Sequence, residues 1–175
     1  METVSTRGPT IAAPCRLRRV GRFGFPVEEL AGEDEVVAWL GRDGSLRMFF
    51  GPGRRVRLAD GTEWRVKAAT SGRYIIPIVT SASGMIAIAG PLPGKRTYGI
   101  SGKDFGCNLV PLGHGGFRRP RRWALRRHET EIATIDETER AIQPVEPVPL
   151  AAAVMAFTLI RHGIPGETDL MPSRD

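Results

Sequence analysis

Arginines suited to binding phosphate groups are concentrated in one short stretch, "GFRRPRRWALRRHE", at residues 116–129. A guanidinium group can donate two parallel hydrogen bonds to a phosphate, so this composition indicates an anion-binding surface. If Trp123 and Leu125 face the core of a strand, the arginines beside them point to solvent. The residues predicted to bind phosphate here, on the strand and in the loop before it, are Arg118, Arg119, Arg122 and Arg126.

A second basic cluster lies in the stretch "RVRLADGTEWRVKA", which starts at Arg55 and is typical of a β-hairpin. A two-residue turn would place Leu58 opposite Glu63 and mix the buried and exposed side chains. A three-residue loop with Gly61 in the left-handed conformation keeps the two sets apart. Arg55 is then expected opposite Arg65, an unfavourable pairing of like charges that an anionic partner would relieve. The predicted anion-binding residues on this outer face are Arg55, Arg57, Arg65 and Lys67.

Three stretches approach known catalytic motifs, but each lacks a part that the chemistry needs. "GPLPGKRT", from Gly90, has three residues between its glycines and an arginine before Thr97, so it does not fit a phosphate-binding loop. "GISGK" around Ser101 lacks the last glycine of a nucleophile elbow. "HETEI" at His128 lacks the second histidine of a zinc-binding helix. We therefore expect no catalytic residue, no metal site and no cofactor, and a protein that is not an enzyme.

Length and composition favour one soluble domain. The chain has 175 residues, a net charge of +6 and two cysteines, Cys15 and Cys107. Two cysteines provide neither a disulfide framework nor the spacing of a zinc site. Arginine far outnumbers lysine, as in proteins from GC-rich bacterial genomes. The N-terminus lacks the apolar run of a signal peptide, so we expect a cytoplasmic protein, and its positive charge leaves peripheral attachment to a membrane open.

The most apolar part of the chain is "LAAAVMAFTLI", residues 150–160. A membrane-spanning helix needs about twenty apolar residues, and this run is roughly half that length. Prolines precede it and Gly163 follows it, which are helix start and stop signals. Because it has no polar face, it is typical of a helix buried on all sides. The sequence therefore predicts a buried C-terminal helix at about residues 150–161 and no transmembrane span.

The residues before this helix are typical of successive β-hairpins, because turn signals recur between short alternating runs. The five predicted hairpins are "VVAWLGRDGSLRMFF", "RVRLADGTEWRVKAA", "RYIIPIVTSASGMIAIAG", "RTYGISGKDFGCNLVPL" and "RRWALRRHETEIATIDE". A sheet buries a wholly apolar helix on every side only by closing around it. We therefore expect a mainly β fold, an antiparallel barrel of about 10–12 strands threaded by the helix. A β-sandwich or an open barrel with the helix across one end is the alternative.

The order of these elements, hairpins followed by one hydrophobic C-terminal helix, resembles the tubby-like superfamily. That superfamily comprises tubby C-terminal domains, phospholipid scramblases and LURP-one-related proteins. The resemblance is strongest at residues 150–160 and implies a barrel threaded by that helix. It extends over residues 16–165, which would form a single domain between flexible tails at residues 1–15 and 166–175.

The resemblance implies binding rather than catalysis. Tubby domains bind phosphoinositides through basic side chains on the barrel, whereas scramblases carry an acidic calcium-binding stretch near the helix. Here "DETERAIQPVEP" lacks a loop of alternating oxygen ligands, so calcium-dependent lipid scrambling is not expected. The resemblance and the charge together favour a non-enzymatic module that binds an anionic membrane surface or a protein partner. A nucleic-acid-binding or regulatory protein that uses the same arginines is the alternative, although few aromatic residues are present to stack on bases.

Overall fold

The computed structural model describes residues 8–20, 27–48, 51–71, 74–93, 96–113 and 120–164, with the backbone alone at 42–48, 51–53 and 71. These residues contain fourteen strands and one helix. The strands are β1 (Thr10–Ile11), β2 (Cys15–Val20), β3 (Val27–Ala31), β4 (Val36–Met48), β5 (Gly51–Leu58), β6 (Glu63–Ser71), β7 (Tyr74–Ser81), β8 (Gly84–Pro91), β9 (Tyr98–Gly102), β10 (Gly106–Leu112), β11 (Arg122–Arg127), β12 (Thr130–Asp136), β13 (Ala141–Pro144) and β14 (Val148–Pro149). The helix is α1 (Leu150–His162).

Twelve of the strands form one closed antiparallel barrel. Their order around the ring is β10-β11-β12-β13-β2-β3-β4-β5-β6-β7-β8-β9, and β9 pairs back with β10. The remaining strands, β1 and β14, pair with each other just before the helix. Because the sheet is closed, it has no open edge to which another chain could add a strand. The predicted mainly β barrel with a C-terminal helix is confirmed.

The N–H of Leu58 donates to the Thr62 carbonyl at 2.8 Å, so the β5–β6 hairpin closes around the three-residue loop, residues 59–61, that side-chain alternation predicts. Gly61 has a φ of 86°, and its N–H donates to the carbonyl three residues earlier at 3.0 Å. Glycine adopts this left-handed conformation without the steric cost that a Cβ would add. Val56 therefore lies opposite Trp64 inside the barrel, and Arg55 lies opposite Arg65 outside.

The barrel encloses α1. Every residue from Leu150 to Ile160 is buried, including Thr158, whose hydroxyl donates to the Val154 carbonyl at 2.9 Å. The helix packs against β7, β8, β9 and β14, and its side chains form one apolar core with the inward residues of the barrel wall. It ends at Gly163, which has a φ of 65°. No helix in the described ranges is long and apolar enough to cross a membrane.

The folded part of the chain starts before its predicted beginning at residue 16. Ile11 in β1 is 1% exposed and belongs to the apolar core. The N–H of Leu150 donates to the Pro9 carbonyl at 2.8 Å, so this segment also supplies an acceptor for the first turn of α1. The segment therefore belongs to the domain. Residues 12–15 of the predicted N-terminal tail are also described, and Cys15 begins β2, whereas residues 1–7 and 166–175 lie outside the described part of the chain.

Val154→Asp should prevent folding, because it places an unpaired charge where the native side chain is 0% exposed. Burying such a charge costs several kcal/mol, comparable with the whole unfolding free energy of a domain, about 5–15 kcal/mol. The matched control is Val145→Asp, where the native side chain is 72% exposed. Soluble yield and urea unfolding followed by circular dichroism measure the effect. A Val154→Asp protein as stable as the control would contradict an enclosed helix.

Candidate functional site

The outer side of β5 and β6 carries four basic side chains, which we call the β5–β6 basic face: Arg55, Arg57, Arg65 and Lys67. The three arginines are exposed and Lys67 is partly exposed. Arg55 lies directly opposite Arg65, whereas Arg57 lies opposite Glu63. Like charges opposed across two strands are destabilising, so a bound anion would lower the repulsion at the Arg55–Arg65 pair.

The arginines of β11 have acidic neighbours that the sequence alone did not reveal. Arg122 is exposed and lies opposite Asp136 on β12. Arg126 is partly exposed and lies opposite Glu131. These carboxylates lower the positive potential of this side of the barrel. The remaining predicted residues of this cluster lie outside the described part of the chain: Arg118 and Arg119.

The described arginines of β11 and the β5–β6 basic face lie on opposite sides of the barrel. β11 and β5 are six places apart in the closed ring of twelve strands. A flat partner touches one side of a barrel at a time, so the clusters form two separate surfaces. Among the described residues, the β5–β6 basic face is the more positive of the two surfaces. Only one of its four basic residues, Arg57, lies opposite an acidic residue, whereas both Arg122 and Arg126 do.

Apolar side chains continue the β5–β6 basic face onto the next two strands. Lys67 lies opposite Ile78 on β7, and Ile78 lies opposite Ile88 on β8. Both isoleucines are partly exposed, while the residues next to them along each strand are buried. Met85, near the start of β8, is 61% exposed. Basic and apolar side chains thus share one continuous outer surface.

A second candidate site lies inside the barrel wall, at the C-terminal end of α1. Strand alternation places Arg54 on the inner side with Val56, and Glu28 on the inner side with Leu30. Glu28 is 6% exposed, and the side chain of Arg54 is 12% exposed. The helix brings Arg161, the first residue after its buried run, to the same place.

Glu28 binds three arginines from three different elements, and we call these four residues the Glu28 cluster: Glu28, Arg54, Arg140 and Arg161. Arg140 Nη2 donates to Glu28 Oε1 at 2.5 Å, and Arg161 Nη1 donates to the same oxygen at 3.5 Å. Arg54 Nη1 lies 3.7 Å from Glu28 Oε2. The carboxylate therefore ties β3 to β5, to the β12–β13 turn and to the end of α1.

The three arginines keep Glu28 ionised. Burial alone would raise the pKa of the Glu28 carboxyl. The hydrogen bond from Arg140 and the charges of the three arginines outweigh burial, so the pKa lies below its ordinary value of 4.5. At neutral pH the cluster is thus one carboxylate among three guanidinium groups.

The β12–β13 turn positions Arg140. Asp136 Oδ1 accepts hydrogen bonds from the backbone N–H groups of Thr138 and Glu139, at 2.8 and 3.0 Å. Such turns fix the direction of the backbone after a strand. Arg140 has a φ of 53°, a left-handed conformation that is uncommon for residues other than glycine. The turn thus holds Arg140 in an unfavourable backbone conformation where its side chain reaches Glu28.

A cavity of about 290 Å³ opens beside the Glu28 cluster. Four arginines line it: Arg19, Arg54, Arg140 and Arg161. Arg19 is exposed, and it forms no ion pair with another residue of the described ranges. The rest of the lining is mainly apolar and comes from β2, β12 and α1. This combination suits a ligand with an anionic group and an apolar part.

The sequence analysis did not predict the Glu28 cluster, although the alternation of inward and outward residues along two strands gives part of the pattern. Glu28-x-Leu30 and Arg54-x-Val56 each place a charged residue two positions from an inward apolar one. A charge on the inner side of a closed barrel needs a partner. The partners from the β12–β13 turn and from α1 lie 112 and 133 residues away from Glu28, so no local pattern identifies them.

Neither cysteine is an activated nucleophile. Both are buried and free. Burial raises the pKa of the Cys15 thiol, and the charge of Glu35 adds to this. Burial raises the pKa of Cys107 to about 11 against the lowering effect of Arg127. Both thiols are therefore protonated at neutral pH. Among the residues that the structure describes, no group of three or more His, Cys, Asp or Glu side chains is placed to hold a metal ion.

Glu28→Gln should lower the free energy of unfolding by about 3 kcal/mol at pH 7, because it leaves three guanidinium groups around a neutral side chain. The pKa of Glu28 is depressed in the folded state, so its contribution is present above pH 4.5 and is lost as the pH falls through the folded-state pKa. The difference between the variant and the wild type should therefore shrink in acid. Urea unfolding at pH 7 and at a series of lower pH values measures this difference.

The control for this experiment is Glu139→Gln. Glu139 pairs with Arg16 at 3.6 Å, and the Glu139 side chain is 58% exposed. Exposed pairs contribute at most about 1 kcal/mol, so this variant should change stability little. A Glu28→Gln effect as small as the control's, or one that stays constant with pH, would contradict the role given to the Glu28 cluster.

No family model, no curated protein and no solved structure matches this chain at a significant level. Its function must therefore be inferred from the placement of its charges, from the exposed apolar side chains beside them and from the cavity at the end of α1.

Proposed function

We propose that this protein is a non-enzymatic, tubby-like module that binds an anionic membrane surface through the β5–β6 basic face. The observation that carries the proposal is the placement of Lys67 beside the outward Ile78 and Ile88, next to the opposed pair Arg55 and Arg65. Cationic side chains attract lipid phosphates. Apolar side chains beside them can enter the boundary between headgroups and acyl chains.

The basic residues by themselves would give weak attachment. Each Lys or Arg near an anionic surface contributes about 1 kcal/mol, so four contribute roughly 4 kcal/mol, which corresponds to a millimolar dissociation constant. Glu63, opposite Arg57, lowers this contribution. The exposed apolar side chains add about 25 cal/mol for each Å² that they bury in the membrane. We therefore expect reversible, salt-dependent attachment in which both kinds of side chain take part.

The same surface favours lipid over nucleic acid. A nucleic acid would contact the arginines through its phosphates, but it would leave Ile78, Ile88 and Met85 without an apolar partner. Isoleucine and methionine side chains do not provide the flat aromatic surface on which bases stack. A membrane accommodates both the charges and the apolar side chains.

The architecture supports the tubby-like and non-enzymatic parts of the proposal. The closed barrel of twelve strands around a C-terminal helix is the arrangement that the tubby-like resemblance implies. Because α1 and the inward side chains fill the middle of the barrel with a largely apolar core, the charged side chains of the described residues lie at its ends and on its outer side. Because both thiols are protonated, neither cysteine supplies a thiolate nucleophile at neutral pH.

Replacing Arg55, Arg65 and Lys67 together with Ser tests the proposal. The variant should fold normally, because these side chains lie outside the core. Its affinity for vesicles of phosphatidylglycerol and phosphatidylcholine should fall by roughly 100-fold, at about 1 kcal/mol for each charge removed. Co-sedimentation over a salt series measures the change. Wild type should bind these vesicles, ignore pure phosphatidylcholine, and dissociate as the salt concentration rises.

Two further variants separate the contributions. Arg122→Ser combined with Arg126→Ser removes charge from the opposite side and should weaken binding less than the triple variant. Ile78→Ser combined with Ile88→Ser keeps the charge and should weaken binding at both low and high salt. Duplex DNA in a gel shift is the competing test. A wild-type protein that shifts DNA but ignores anionic vesicles, or a triple variant that binds vesicles normally, would refute the proposal.

A further inference from the structure

We propose that the cavity beside the Glu28 cluster binds a small amphiphile, a carboxylate or phosphate head carried on a short apolar body. The cavity lies at the end of the barrel where α1 finishes, whereas the β5–β6 basic face lies on the outer side of the wall. The two sites use different residues. The cavity proposal therefore does not rest on membrane attachment.

Guanidinium groups outnumber carboxylates around the cavity. Four arginines and one acidic residue, Glu137, line the cavity. The buried carboxylate of Glu28 forms ion pairs with three of these arginines. Counting these six described side chains gives +4 and −2, a net charge of +2. Positive charges held this close repel one another, and an anion in the cavity would lower that repulsion.

Arg19 is placed to bind the head of such a ligand. It lies on β2 at the rim of the cavity and is exposed. Glu28 engages the other three arginines, whereas Arg19 forms no ion pair with any side chain in the described part of the chain. A carboxylate or phosphate head can accept two parallel hydrogen bonds from its guanidinium.

The apolar part of the lining selects for a ligand with an apolar body. It consists of Leu17, Ile135, Phe157 and Ile160. These side chains are 1–7% exposed, so the gain comes mainly from the apolar body of the ligand leaving water, which a hydrated inorganic anion does not provide. A volume of about 290 Å³ is just below the usual range of ligand pockets, about 300–1,000 Å³, so the body is limited to a short chain or one ring.

Isothermal titration calorimetry with hexanoate and hexyl phosphate, at constant ionic strength and below micelle-forming concentrations, tests the site. Each should bind once per chain and raise the melting temperature, because a ligand of the folded state stabilises it. Inorganic phosphate lacks the apolar body and hexanol lacks the anionic head. Each should therefore bind at least about tenfold more weakly than hexyl phosphate.

Arg19→Ser should weaken the binding of both amphiphiles by about tenfold, the factor expected for one hydrogen bond between charged groups. The matched control is Arg18→Ser on the same strand. Arg18 points to the other side of the sheet, where its Nη2 donates to the Gly32 carbonyl at 2.8 Å. The control removes the same charge and should leave binding unchanged. Arg19 lies opposite Glu28 on β3 but forms no ion pair with it, and both variants keep the three arginines that bind Glu28, so both should fold.

Three results would overturn the proposal: neither amphiphile binds, Arg19→Ser binds them as tightly as wild type, or inorganic phosphate matches hexyl phosphate. Vesicles containing phosphatidic acid show whether the anionic head belongs to a membrane lipid or to a soluble ligand. If a lipid supplies it, Arg19→Ser also reduces sedimentation with these vesicles, whereas a soluble ligand leaves sedimentation unchanged. Because the hexyl ligands are titrated without vesicles, failure of the membrane proposal leaves this result unaffected.

Discussion

An α-helix with no polar face must be covered on every side to be stable in water, and this requirement governs the architecture. The run from Leu150 to Ile160 is apolar all round and is buried throughout. One sheet can cover only one side of such a helix, whereas a closed sheet covers all of them. A barrel of about eight strands is filled by its own side chains, and one of about sixteen leaves a channel. Twelve strands lie between these limits and leave room for a helix.

The fit between helix and wall depends on small side chains on both. Ala152, Ala153 and Ala156 of α1 are fully buried, and the helix packs against β8, whose inward residues Ala87 and Ala89 are also alanines. Small residues allow the helix backbone to approach the wall closely, and dense packing of this kind leaves little space for a ligand at mid-barrel. The surfaces open to a partner are therefore the outer side of the wall and its ends.

The two ends of the barrel differ in chemistry. At the start of α1, the short β1–β14 pair carries the buried Ile11 and Val148, so this end is apolar. At the other end the helix presents Arg161, a position where positive charge is favoured by the helix dipole. Glu28 binds that arginine together with two others, and a cavity opens beside them. The direction of α1 within the barrel thus places the buried residues of the β1–β14 pair at one end and the Glu28 cluster at the other.

On the outer side of the wall, the barrel separates two arginine-rich stretches that have similar compositions in the sequence. The β5–β6 basic face keeps a pair of opposed arginines and borders outward isoleucines. On the other side, Arg122 and Arg126 of β11 each lie opposite a carboxylate of β12. Two stretches of comparable composition therefore differ in net potential and in their apolar surroundings. The difference makes the β5–β6 basic face the better candidate for contact with a membrane.

Local patterns in the sequence determined the kind of fold, the enclosed helix and the two faces of the β5–β6 hairpin. They wrongly predicted a hairpin in the stretch that starts at Val36, where residues 36–48 form the single strand β4. They sufficed for the β5–β6 hairpin because side-chain direction alternates with a period of two along a strand. Gly61, in its left-handed conformation, allows a loop with an odd number of residues, which keeps the inward and outward side chains apart. The two-residue strand β1 was missed because it is too short to show any period. Only the tertiary structure placed the described arginines of β11 and the β5–β6 basic face on opposite sides and assembled the Glu28 cluster. Both depend on the order of strands around the closed ring and on contacts between residues more than a hundred positions apart, which no local pattern encodes.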